Sequence, residues 1–221
     1  MTTPPFQRAR RPEHKEQRRQ DILHAAAALG RRDGVRPVTL TDIAAGAGVH
    51  KSAVLRYFAS REAVFLLLTA DGWQDWADAV GETLRGPEEP RTVATALAAT
   101  LADRPLFCDL LGHAQLSLER GVTRQQVRDF KVTTLDAVDR IARTLTTALP
   151  WLDRGQAVDV IAGTAAMAAQ QWQTSNPPEN LARLYEEDPL LAHLASEFVP
   201  RLTRLVTLLL AGASAVAQGE A

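Results

Sequence analysis

Within the twenty residues from Thr39 to Phe58 the chain carries start and stop signals for two separate short helices, and this compression constrains its fold more than any other feature. Thr39 stands as an N-cap with Asp42 as its capping-box partner, and Val38 with Ile43 has the spacing of a hydrophobic staple. The spacing predicts a helix of about two turns, Leu40 to Gly46. Gly48 enters the left-handed conformation without steric penalty, so Ala47-Gly48-Val49 reads as a tight turn, and a third helix follows over about His50 to Phe58. Two short helices about a glycine suit many folds, so the interior residues matter. Ala44, four before Gly48, is small where the helices must cross, and Val54, six after it, faces inward. Ile43, Val49 and Tyr57 complete the seam. The outward face is left with His50, Lys51, Ser52 and Arg56, all able to donate hydrogen bonds to phosphates or base edges.

The rest of the chain also reads as helical, which makes the fold class all-α. A first helix is expected over Glu13 to Arg32, broken by Gly34 and Pro37. Ser60 caps a fourth, whose apolar stripe through Val64, Trp73, Trp76, Val80 and Leu84 runs to Gly86, too far to belong only to a small head. Further helices are expected from Val93 to Leu101, from Pro105 to Leu111, from a Thr123/Gln126 capping box to Leu149, and from Asp153/Gln156 to Asn176. A helical turn over Leu181 to Glu187 precedes a last helical region that opens at Asp188-Pro189, is kinked or divided by Pro200, and ends near Gly212. The expected organisation is a basic arm (1–12), a helix-turn-helix domain (13–60), a helical body (61–212) and a frayed end (213–221).

Charge divides the chain in the same place. Residues 1–60 hold eleven Lys and Arg against five acids, a net of +6, which leaves -7 for the remainder of a chain whose total is -1. A basic head on an acidic body suits a phosphate-binding partner for the head. The N-terminus lacks the apolar run of a secretory signal, and the most apolar stretches, including Leu205 to Ala217, fall short of roughly 18 uninterrupted apolar residues. A cytoplasmic protein with no membrane partner is expected. The lone Cys108 excludes an intrachain disulfide framework and reads as a small buried hydrophobe. The five histidines, His14, His24, His50, His113 and His193, show no metal-binding spacing, and neither a glycine-rich phosphate loop nor a nucleophile elbow is present. No cofactor or metal is therefore expected, and a helical enzyme is the rival class.

The run from Thr39 through Ile43-Ala44, Gly48, Lys51-Ser52, Tyr57-Phe58 and Ser60-Arg61-Glu62 resembles the signature of the TetR (tetracycline-repressor) family, over about residues 13 to 70. The resemblance implies a DNA-binding transcriptional regulator. By position, Thr39 and Thr41 would meet the DNA backbone or a base edge, and His50, Lys51, Ser52 and Arg56 would face the major groove. Tyr57 would lie at the seam or reach a phosphate, and Arg61 would bind phosphate at the start of the fourth helix. Three residues depart from the family pattern: Leu55 replaces a phosphate-contacting tyrosine, His50 a serine or threonine cap, and Gly30 a bulky aromatic whose loss should weaken packing and lower helix propensity.

For the body the resemblance implies a helical domain for ligand binding and dimerisation. Val160, Gly163, Thr164, Met167, Leu202, Leu205, Val206 and Leu209, with Trp172, are the candidates for a homodimer interface. Trp73, Trp76, Phe107, His113, Gln115, Phe130, Gln170 and Trp172 are the candidates for a pocket taking an unidentified small-molecule effector. The expected function is a homodimeric repressor released from an inverted-repeat operator in double-stranded DNA by a ligand. The alternative is a dimeric DNA-binding regulator without one.

Overall fold

The computed structural model describes residues 10–114, 116–188, 190–191 and 197–219. Its helices in chain order are α1 (Arg10–Asp33), α2 (Leu40–Gly46), α3 (Lys51–Val54), α4 (Arg61–Thr83), α5 (Pro90–Ala102), α6 (Pro105–Ala114), α7 (Arg124–Ala148), α8 (Arg154–Ser175), α9 (Glu179–Glu187) and α10 (Phe198–Gly219). A single 3-10 turn, Leu118–Arg120, precedes α7, and no strand occurs among the described residues.

Three of these helices start on the reciprocal caps that the sequence marks. The Thr39 hydroxyl accepts from the Asp42 N–H at 3.2 Å, while the Asp42 carboxylate accepts from the Thr39 N–H at 2.8 Å. Thr123 with Gln126 and Asp153 with Gln156 make the same exchange at α7 and α8. Each box pairs N–H groups that a helix start otherwise leaves without partners.

Helices α1, α2 and α3 close around Ile22, Ala26, Val38, Ile43, Ala44, Val54 and Phe58, all buried. Gly48, at a φ of +64°, makes the turn between α2 and α3. The core then continues without a break into the body, because α4 contributes Val64 and Phe65 near the head and Trp73, Trp76 and Val80 farther along. Helix α4 lies along α7 and crosses α6 and α5, and α10 packs against α5 and α8. Cys108 is fully buried, its thiol pushed up to about 12 mainly by burial and directed at the Leu101 carbonyl.

Several elements differ from expectation. Helix α3 ends at Val54 rather than near Phe58, because the N–H groups of Arg56 and Tyr57 turn back to the carbonyls of Ala53 and Val54, tightening the chain and dropping Phe58 into the core. Helix α6 reaches Ala114. Pro200 neither kinks nor divides α10; it sits in the first turn, where a helix has no N–H bond to lose. Helix α10 also runs past Gly212 to Gly219, since the surrounding alanines outweigh the propensity penalty of one glycine. Its Phe198–Ala217 stretch, which includes Arg201 and Arg204, is long and apolar enough to cross a membrane by length and composition alone, a test that core helices of soluble proteins also pass. His193 lies outside the described residues.

Candidate functional site

The outward face of the helix-turn-helix is built as the sequence suggests. Thr41, His50, Lys51, Ser52, Leu55 and Arg56 are exposed, and Tyr57 is half-buried. Among the described residues Lys51 and Arg56 have no carboxylate at ion-pair distance, so their charges are available to an outside anion. His14, Lys15 and Arg18 of α1 join Arg56 and Tyr57 in lining a groove of about 560 Å3 between α1 and the end of α3. This basic groove was not anticipated as a unit, although the charge run Lys15 to Arg19 was its signal. Of the acids nearby, Glu16 and Asp21 are engaged by α1's own Arg19 and Arg18.

His50 does cap α3. Its Nδ1 accepts from the Ser52 N–H at 3.3 Å and lies 2.9 Å from the Ser52 hydroxyl, which assigns the ring proton to Nε2. The exposed imidazole thus combines a capping edge with a donor edge.

Two other candidates are engaged within the chain. The Thr39 hydroxyl donates to the Asp42 carboxylate at 2.6 Å and is engaged in its own cap, which holds the Asp42 carboxyl below its usual range. Arg61 is engaged more extensively. Its guanidinium donates to the backbone carbonyls of Val35 and Val38, reaches Arg36 O at 3.4 Å and Glu62 at 3.2 Å, and lies over the Phe65 ring at 4.9 Å. It is a clamp between the α1–α2 loop and α4, with its donors directed away from solvent. The neighbouring cap Ser60 donates to Gly121 O at 2.9 Å and so braces the same end of α4 against the body.

A second tie binds head to body through Asp109, a residue the sequence reading passed over although it is the one acid inside the apolar run Leu106 to Leu111. Its carboxylate is buried and accepts from the Val35 N–H at 2.7 Å and from Gln173 Nε2 at 2.7 Å, with His113 Nε2 at 3.5 Å. Burial pushes this carboxyl up, yet the hydrogen bonds from His113, Val35 and Gln173, with the His113 charge, hold it below its usual range. Gly30 belongs to the same contact: a Cβ there would stand 2.7 Å from Leu106 Cδ1. The missing aromatic therefore leaves no hole, because α6 approaches α1 closely enough to fill the space.

The candidate pocket residues do not line one chamber. Trp73, Trp76 and Phe107 pack on one another with ring centroids 5.5 to 6.2 Å apart, and Trp76 Nε1 donates to the Thr100 hydroxyl at 3.0 Å. All three are buried, and they pack α4 against α6. Phe130 is buried under the Lys131 ammonium, Gln170 is exposed, and Gln115 lies outside the described residues. His113 and Trp172 instead line a cleft of about 780 Å3 between head and body, with Asp109, Gln173 and the α1–α2 loop around it.

The candidate interface residues also divide. Val160, Thr164, Leu202 and Val206 are buried within the chain, in the packing of α8 and α10 on each other and on α5. Gly163, Met167 and Leu205 are half-buried, and Leu209 is exposed where a Cβ on Gly163 would stand 2.9 Å from its Cδ1. On α10 the exposed large apolar side chains outside the candidate list are Leu208, 64% exposed, and Val216, 53% exposed.

Residues 22–68 match the family described as bacterial regulatory proteins, tetR family, and residues 70–217 match the family described as tetracyclin repressor-like, C-terminal domain. Among solved structures the chain is similar to a TetR-family transcriptional regulator from Mesorhizobium loti, with 16% identity and a TM-score of 0.54 over 91% of this chain and 96% of that one. It is also similar to the multidrug binding protein EbrR complexed with imidazole, with 21% identity and a TM-score of 0.54 over 81% and 96%. The fatty acid degradation regulator FadR from Bacillus halodurans shares 14% identity and a TM-score of 0.50 over 85% and 97%. No curated protein sequence matches the chain.

Proposed function

Since the chain belongs to the TetR family of DNA-binding transcriptional regulators, we propose that it works in the cytoplasm as a homodimeric repressor that holds an inverted-repeat operator and releases it when a small molecule binds the body. In this reading residues 13–60 are the DNA-binding head behind a basic arm, and α4 onward is the body.

The observation that carries the DNA half is the exposed donor face of His50, Lys51, Ser52 and Arg56, continuous with the basic groove of α1. Phosphate contacts from Lys15, Arg18 and Lys51 would set the register, and His50, Ser52 and Arg56 stand where base edges are read. Arg61 acts indirectly, by fixing α2 against α4.

The dimer half is supported by the unpartnered side of α10. Leu205, Leu208, Leu209 and Val216, beside Ala162, Gly163 and Met167 of α8, form an apolar strip of low relief that a second copy covers by two-fold symmetry. A symmetric pair of heads about one helical turn of DNA apart, roughly 34 to 36 Å, calls for an inverted repeat. Footprinting on the DNA upstream of the protein's own gene tests the reading. Salt-sensitive protection of a palindromic site supports it, and the absence of specific binding to any such site overturns it.

A further inference from the structure

The C-terminal end of α8, helix α9 and the start of α10 flank a second, open cavity of about 590 Å3, inside the range of roughly 300 to 1,000 Å3 usual for small-molecule sites. Its walls combine three aromatic rings with two carboxylates: Trp172, Tyr185 and Phe198, with Glu186 and Glu197. The Trp172 and Phe198 rings meet edge to face at 5.8 Å. No Lys, Arg or His lines the cavity among the described residues. The one arginine of α9, Arg183, is bound to Glu179 at 2.5 Å. Aromatic faces and carboxylates with no cation at ion-pair distance among the described residues share one preference, for positive charge carried on an apolar body.

We propose that this cavity is a binding site for a lipophilic organic cation. Trp172 and Phe198 supply ring surface, and Glu186 and Glu197 balance the charge at the rim. The site has a route to the head. Trp172, Asn176 and Pro177 also line the head–body cleft, and the next residue on α8, Gln173, holds the Asp109 carboxylate that grips the Val35 N–H. Cation binding that shifts the end of α8 therefore acts on the tie between body and head. This regulatory half rests on the repressor reading; the binding half does not.

Isothermal titration of the full chain with tetraphenylphosphonium and with tetraphenylborate, ions of one shape and opposite charge, tests the site. Wild type is expected to favour the cation by about tenfold or more, and E186Q/E197Q, which alters only exposed side chains, to bring the two ions together. Equal affinity for both ions in wild type, no binding of the cation, or an unchanged preference in E186Q/E197Q overturns the proposal. Operator binding with and without tetraphenylphosphonium separates the two readings. An operator complex that persists in a protein that fails to bind the cation sinks the site and leaves the repressor standing. Cation binding without any operator binding does the reverse.

Discussion

The carboxylate of Asp109 on α6 accepts a 2.7 Å hydrogen bond from the backbone N–H of Val35, 74 residues earlier in the α1–α2 loop. The carbonyl of the same Val35 is taken by Arg61 at the start of α4. One loop residue is thus gripped on its two polar groups by two different helices, and a movement of α6 relative to α4 is transmitted to the start of α2.

Replacing Asp109 by Ala should leave the fully buried Val35 without a partner for its N–H, at about 1 to 3 kcal/mol, read as a lower urea midpoint with an unchanged slope. The wild-type bond is also pH-dependent. Because the folded carboxyl is held below its usual range, its stabilisation is complete above the unfolded value and disappears as the pH falls below about 4. Acidification through that range should destabilise wild type more steeply than D109N. Parallel acid profiles would remove the carboxylate from this role.

Arg61 and Lys51 should fail in different ways. R61A is expected to lower folding stability by about 1.5 to 3 kcal/mol, since three carbonyls lose a charged donor, and to leave the salt dependence of DNA binding unaltered. K51A should leave stability within about 0.5 kcal/mol and reduce the salt slope by about 0.9, the amount of one phosphate contact. If R61A lowered the slope by that amount with no loss of stability, Arg61 would be a phosphate contact after all.

At Gly72 an added Cβ would stand 2.8 Å from Phe107 Cγ, so α4 and α6 meet there with no room for a methyl group. G72A should destabilise by about 1 to 3 kcal/mol although alanine is the better helix former by about 1 kcal/mol. In an F107A background the same change should become neutral or stabilising, which a double-mutant cycle measures. Equal effects in both backgrounds would show that the ring is not what excludes the methyl.

L208E places a charge at the most exposed apolar position of the α10 strip, 64% exposed, and should change protomer stability by no more than about 0.5 kcal/mol. Sedimentation should then show a monomer, with operator affinity lost in parallel. A dimeric L208E would move the interface elsewhere.

What the sequence made visible follows from the range of the forces involved. The capping boxes at Thr39, Thr123 and Asp153 and the turn at Gly48 are settled within four residues, and the structure reproduces them. Arg61 is different: whether it faces a phosphate or a carbonyl depends on where Val35 and Val38 stand, more than twenty residues away. Trp73 and Trp76 show a shared face from their spacing, but only the close approach permitted by Gly72 brings Phe107 into the space between helices. Helix α10 carries apolar side chains on more than one side, and periodicity alone does not say that Leu202, Val206 and Leu210 face inward while Leu208 and Val216 face out.

The brevity of α3 has its own consequence. Even with its flanking residues, the face from His50 to Arg56 spans only about 9 Å at helical rise, less than three base-pair steps at 3.4 Å each. A probe that short samples too little text to be found once in a genome. Address information must then reside in the distance and phase between two such probes, and in how readily the intervening duplex bends or twists to meet them.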